Sequence, residues 1–213
     1  MEDLIYTLFV AISVPIFLMT VLVEKKARFP LIFMLLGIFV SVFASEVNGL
    51  LAQVLPMSMY DITVVVTPIS EEVLKAIPIL YYAMVISDKR EKLFTASMAL
   101  GIGFAVLENA YYLLNYSDFN MFSAVIRAFG SGLMHGMCTL LVGVGISFFR
   151  RKNKLFAVGT FGLLSTVIVY HGVYNILIQS KYSTVGALLP IATYIPFLLW
   201  RMKVKSKPKL KTK

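Results

Sequence analysis

Seven apolar runs divide this chain, and its basic residues fall in every second gap between them. The runs cover residues 4–23, 30–55, 62–86, 93–115, 122–149, 155–178 and 185–200. About 20 predominantly apolar residues cross the hydrocarbon core of a bilayer as a helix. Lipid offers no partner for backbone N–H and C=O groups, so a spanning segment must satisfy them internally. The pattern therefore predicts an all-α polytopic membrane helix bundle of about seven transmembrane helices. A mean hydropathy of +0.82 excludes an ordinary soluble domain.

The gaps set the orientation. Lys25, Lys26 and Arg28 follow run one, and Lys89, Arg90 and Lys92 follow run three. Arg150, Arg151, Lys152 and Lys154 follow run five, and a lysine-rich tail follows run seven, while the other gaps hold only Lys181. By the positive-inside rule the N-terminus lies outside and the C-terminus is cytoplasmic. Run one opens on Glu2 and Asp3 and closes on basic residues, the reverse of a signal peptide, so it reads as a retained helix. Three regions follow. Residues 1–29 are the first helix and its basic loop, and 30–200 are the core. Residues 201–213 form a tail expected to be disordered, anchoring topology and touching anionic lipid. The formal net charge of +9 sits in short clusters between spans, which points to the bilayer and not to nucleic acid. The single cysteine, Cys138, rules out a disulfide framework within the chain and reads as a small core residue.

Charges inside the spans carry the function. Run three holds Glu71, Glu72 and Lys75 between Pro68 and Pro78. A charge at the bilayer centre costs about 2.5–3.5 kcal/mol on insertion scales, so such residues face a bundle interior or a wet cavity. Glu71 and Lys75 stand at i,i+4 and Glu72 and Lys75 at i,i+3, so Lys75 can pair with either. Run four carries Gly101, Gly103, Phe104, Glu108 and Asn109; run five carries Arg127 and His135; run six carries His171 and Asn175. Helical rise puts Glu71 and Glu72 about 14 Å, Glu108 about 11 Å, His171 about 10 Å and His135 about 20 Å below the outer ends of their runs. Four helices thus present ionisable groups between midplane and outer leaflet, which predicts one shared polar site. Gly132 and Gly136, a G-x-x-x-G pair, are expected to admit a neighbouring helix beside His135. Glu46, Asn48 and Gln53 in run two either line a cavity or mark a helix end, with the second preferred.

Such a site has several chemical readings. A carboxylate beside a histidine takes a proton from water. His171 and Asn175, at i,i+4, share a face and can hydrogen-bond a developing oxyanion. Two histidines and two glutamates also suffice for a divalent metal such as zinc, with Glu72, Glu108, His135 and His171 as ligands from separate helices. Buried Glu, Lys and His serve proton-coupled transporters as relays as well. Ser70 precedes Glu71, but no motif marks it as a nucleophile. A retinal-type receptor would need a lysine inside run seven, which has none.

In order, Glu71-Glu72-x-x-Lys75, Phe104-x-x-x-Glu108-Asn109, Arg127 with His135, and His171-x-x-x-Asn175 resemble the motif series of the PrsW family of intramembrane proteases. That family is similar to the CAAX prenyl endopeptidase and abortive-infection superfamily. The resemblance covers residues 30–200. It implies an endopeptidase of a bacterial plasma membrane. Its substrate would be a single-pass membrane protein, an anti-sigma factor of a stress response, cut first near its extracytoplasmic side. On this reading Glu71 or Glu72 activates water, Glu108 and His135 position it, and His171 and Asn175 stabilise the oxyanion. Lys75 pairs with the second carboxylate, and Phe104, Asn109 and Arg127 support the site. By superfamily analogy no cofactor is required; the alternative is one divalent metal on the ligands named above. Two departures stand out: the CAAX peptidases usually have histidine where this chain has Glu108, and some PrsW proteins have Asp where it has Asn175.

Overall fold

A computed structural model describes residues 2–115, 121–148 and 153–205. Each apolar run is a helix, and no strand occurs among the described residues. We label the helices α1 (Glu2–Leu22), α2 (Lys25–Val54), α3 (residues 59–86), α4 (Arg90–Asn115), α5 (Met121–Ile146), α6 (Asn153–Ile178) and α7 (Ser183–Lys205). Five stretches are long and apolar enough to cross a membrane: Leu4–Leu22, Lys25–Val54, Arg90–Asn115, Ala124–Ile146 and Phe156–Ile178. The other two runs fall short of that measure for identifiable reasons. The α-helical part of α3, Thr67–Tyr81, carries both glutamates and Lys75. The apolar part of α7 is the shorter stretch Ser183–Pro196.

The prolines shape α3. Pro68 has no N–H to give the Val64 carbonyl, and the backbone there widens into a π turn over Ile62–Val66, closed by Thr67 N–H donating to Ile62 O. Ten residues on, Pro78 cannot serve the Leu74 carbonyl, and a second π turn follows over Tyr82–Ile86. The first turn docks α6. Asn175 Nδ2 donates to the freed Thr63 carbonyl at 3.0 Å. Gly172 passes so near the Val64 carbonyl that a side chain there would collide with it. His171, next in sequence to Gly172, is thereby held against α3.

Close helix crossings fix the remaining phases. A Cβ on Gly101 would run into the His135 carbonyl, so α4 touches α5 at the backbone of the site histidine. The predicted G-x-x-x-G contact is different in the structure. Gly132 has nothing within 4 Å of a would-be Cβ, and Gly136 meets only the flexible side chains of Met98 and Ile102. The residues that bring α4 close are its own glycines, because its register places Gly101 at the crossing. Gly101→Val should therefore lower the melting temperature clearly in detergent, by the overpacking cost of about 1–3 kcal/mol, while Gly132→Ala should leave it unchanged or higher.

A buried apolar cluster including Leu93, Leu100, Met134, Val142 and Ile146 fills the bundle next to the polar residues, and Cys138 belongs to it with Sγ 3.9 Å from Met134 Sδ. The tail differs from expectation: α7 continues through Lys205, so residues 201–205 are helical. Lysine is a good helix former, and the ladder runs on past the apolar stretch. Residues 206–213, and the basic cluster Arg150–Lys152, lie outside the described residues.

Candidate active site

The polar residues of α3 to α6 meet in one chain of contacts. Glu72 Oε1 accepts from Lys75 Nζ at 2.7 Å and lies 2.9 Å from His171 Nδ1. Lys75 Nζ is also 2.8 Å from His135 Nδ1, and His135 Nε2 is 2.6 Å from Glu108 Oε2. Ser131 Oγ donates to that same carboxylate oxygen at 3.2 Å. Proton positions follow from the partners. An ammonium only donates and a carboxylate only accepts. His135 Nδ1 therefore accepts, and its Nε2–H donates to Glu108. His171 donates through Nδ1–H to Glu72, which in the neutral imidazole leaves Nε2 with a lone pair. Glu72, Lys75, His135 and His171 are all almost completely buried. Phe104 completes the packing, with its ring 4.9 Å from that of His135 and 4.4 Å from Lys75 Nζ.

Glu71 does something else. Neighbouring positions on a helix point about 100° apart, and the two glutamates face different surroundings. Glu71 lines a cavity of about 450 Å³ together with Asn48, Thr67, Glu108, Tyr112 and Asn175. Its Oε1 accepts from Asn48 Nδ2 at 3.4 Å, and its Oε2 has no hydrogen-bond partner among the described residues. That Oε2 stands 4.0 Å from His171 Nε2. Ser70 Oγ donates to Asn48 Oδ1, which orients the Asn48 amide toward Glu71. The rings of His135 and His171 stand perpendicular with centroids 5.0 Å apart, side by side at the back of the site.

Most predicted residues converge here, with three differences. Asn48 lines the cavity and holds Glu71, against the preferred reading of it as a helix-end marker. Glu46, two residues earlier, is exposed and accepts from Tyr6 of α1 at 2.8 Å. Asn109 is buried but does not line the cavity. Arg127 lies beside the cavity, stacked on Tyr112 with 3.9 Å between guanidinium carbon and ring centroid. Ser131, Tyr111 and Tyr112 were not picked out from the sequence, although Ser131 stands one helical turn before His135.

The donor set can also be tested for a metal. Glu71, His135 and His171 each offer a ligand atom, and these atoms lie within 4.8 Å of one another. The predicted set named Glu72, whose Oε1 is already taken by Lys75 and His171. Glu72 Oε2 is unpartnered too, but Glu71, which lines the cavity, is the carboxylate within ligand range of the two imidazoles and stands in its place. One carboxylate and two imidazoles match a three-ligand catalytic zinc set. Glu71 Oε2 and the lone pair of His171 Nε2 are free to bind, while His135 would exchange one of its two present partners.

Residues 25–201 match the model of a family described as PrsW family intramembrane metalloprotease. The chain belongs to this PrsW family. Membership makes it a membrane-embedded protease. The match opens on the first residue of α2 and contains every residue of the contact chain, so α1 lies outside it. Comparison with curated proteins and with solved structures gave no match. The family description as a metalloprotease, together with the Glu71–His135–His171 cluster, runs against the expectation that no cofactor is required.

Proposed function

We propose that this protein hydrolyses a peptide bond of a single-span membrane protein in the cavity beside Glu71. The observation that carries the reading is a glutamate that lines a cavity and has a buried, unpartnered carboxylate oxygen 4.0 Å from an imidazole nitrogen that can accept a proton. Glu71 takes a proton from water as the water oxygen attacks the scissile carbonyl carbon. His171 Nε2 helps to hold that water, and the Glu72 carboxylate keeps its tautomer fixed. The oxyanion receives the second N–H of Asn175 Nδ2, the first being spent on Thr63 O. Glu71 then passes its proton to the leaving amide nitrogen, and the C–N bond breaks. Lys75 keeps Glu72 ionised and holds His135 so that its Nε2–H points at Glu108.

A metal-dependent version rests on the same cluster. A divalent metal held by Glu71, His135 and His171 would supply Lewis-acid polarisation of the carbonyl and a more acidic water. In that version Glu71 binds instead of moving a proton, and Glu108, which lines the same cavity, is the carboxylate left to accept one.

Seven crossings with the N-terminus outside fit the reading. The cavity is lined from the start of α1 (Ile5), the end of α2 (Asn48), the start of α3 (Thr63), the end of α4 (Asn115) and the end of α6 (Asn175). The basic loops lie at the other ends of these helices, which supports the reading of the cavity as extracytoplasmic. Family resemblance supports a bacterial plasma membrane and a membrane-anchored anti-sigma factor as substrate, receiving its first cut. Purified protein should cleave such a substrate in detergent or nanodiscs. Activity lost to a strong chelator and restored by one metal would establish the metal version. Cleavage surviving chelation in protein shown to be metal-free would establish the glutamate version. Solute or proton flux without cleavage of any single-span substrate would overturn both in favour of transport.

A further inference from the structure

A second cavity of about 250 Å³ adjoins the catalytic one, and the two share Thr63, Glu108, Tyr112 and Asn175 in their walls. Arg127 and Tyr174 line the second cavity. Both are more than nine-tenths buried. Arg127 Nε and the Tyr174 hydroxyl have no hydrogen-bond partner among the described residues. Leaving a buried donor unsatisfied is costly, and more so when it carries charge. Glu108, the carboxylate in this wall, already receives His135 Nε2–H and Ser131 Oγ–H on Oε2. Tyr112 clamps the guanidinium plane from one side. A planar fork of donors held in this way matches a carboxylate.

We propose that the Arg127–Tyr174 cavity is a specificity subsite that takes an acidic side chain of the substrate, close to the scissile bond. This rests on the protease reading above. The shared walls argue for substrate over lipid as the source of the anion, because whatever fills the second cavity lies against residues that also line the first. The carboxylate would receive the Arg127 Nε–H with a neighbouring guanidinium N–H, and the Tyr174 hydroxyl. Arg127 binds substrate here and takes no part in proton transfer.

The test uses single-span peptides in nanodiscs with randomised residues on the extracytoplasmic side of the span, cut by the full-length protein and read by mass spectrometry. Wild type should select Asp or Glu at one fixed distance from the cut, preferring it to Asn or Gln by about tenfold to a hundredfold in kcat/KM, the worth of a hydrogen bond to a charged group. Arg127→Gln should lose the selection, and Arg127→Glu should invert it toward Lys or Arg. Tyr174→Phe, which removes one hydroxyl and keeps the shape, should weaken the selection should the arginine variants fail to fold. An unselective wild type, or an acid preference unchanged in Arg127→Gln and Tyr174→Phe, would overturn the subsite. So would rates that follow anionic lipid content and ignore peptide charge. Binding of acidic and amide peptides to Glu71→Gln protein separates the two readings. A protein that cuts nothing yet binds acidic peptides through Arg127 has lost its protease reading and kept its subsite; equal binding of both peptides removes the subsite.

Discussion

A Glu71→Gln variant should fold as the wild type does and cleave about 10²–10⁴-fold more slowly, the contribution of a positioned general base. The fold should survive because little of it rests on this carboxylate. The amide oxygen of the substituted side chain can still accept from Asn48 Nδ2, and its nitrogen takes the place of a buried oxygen that has no hydrogen-bond partner and stands 4.0 Å from His171 Nε2. Glu72→Gln should behave differently. It leaves Lys75 buried opposite a neutral amide and loosens His171, so melting temperature and activity should fall together. Measuring kcat/KM and thermal stability on both variants in one detergent separates the roles. A Glu71→Gln protein with near-wild-type cleavage would remove Glu71 from the mechanism, whereas lost activity accompanied by lost metal content would make it a ligand.

The all-helical membrane fold and the convergence of α3 to α6 on one polar site among the described residues were legible in the sequence, because apolar length and intramembrane charge have few physical explanations. The pairing of Lys75 with Glu72 was one of two choices allowed by helical spacing. What decided it was the phase of α3, and that phase depends on two π turns and on where Gly172 and Asn175 dock. Pro68 and Pro78 announced distortion of α3 but not its form. For the same reason the sequence could not separate Glu71 from Glu72: two adjacent acids look alike until the rotation of their helix is known. Asn48 stayed ambiguous because its meaning comes from Ser70 and Glu71, which lie on another helix. The glycine contact was misplaced because G-x-x-x-G spacing gives a smooth face without saying what crosses it. The backbone of His135 is met by Gly101.

Lys75→Met should be the most destabilising single substitution in the site. Lys75 is the hub of the contact chain: its ammonium touches Glu72 Oε1 and His135 Nδ1 and lies over the Phe104 ring, and no solvent reaches it. Methionine conserves the volume and removes the charge, which leaves Glu72 ionised and uncompensated in the bundle. Breaking a buried pair from one side costs about 3–5 kcal/mol. The pair itself need contribute little, since replacing both partners by neutral groups is often nearly neutral in stability. The double variant Lys75→Met, Glu72→Gln should therefore recover most of the lost melting temperature. Activity should not return with it, because His135 would lose the donor that fixes its tautomer and His171 would lose the charge that holds its Nδ1–H. Stability that is repaired while cleavage stays absent would show that the buried pair is kept to orient the two histidines. A stable, active Lys75→Met single variant would show that neither histidine depends on it.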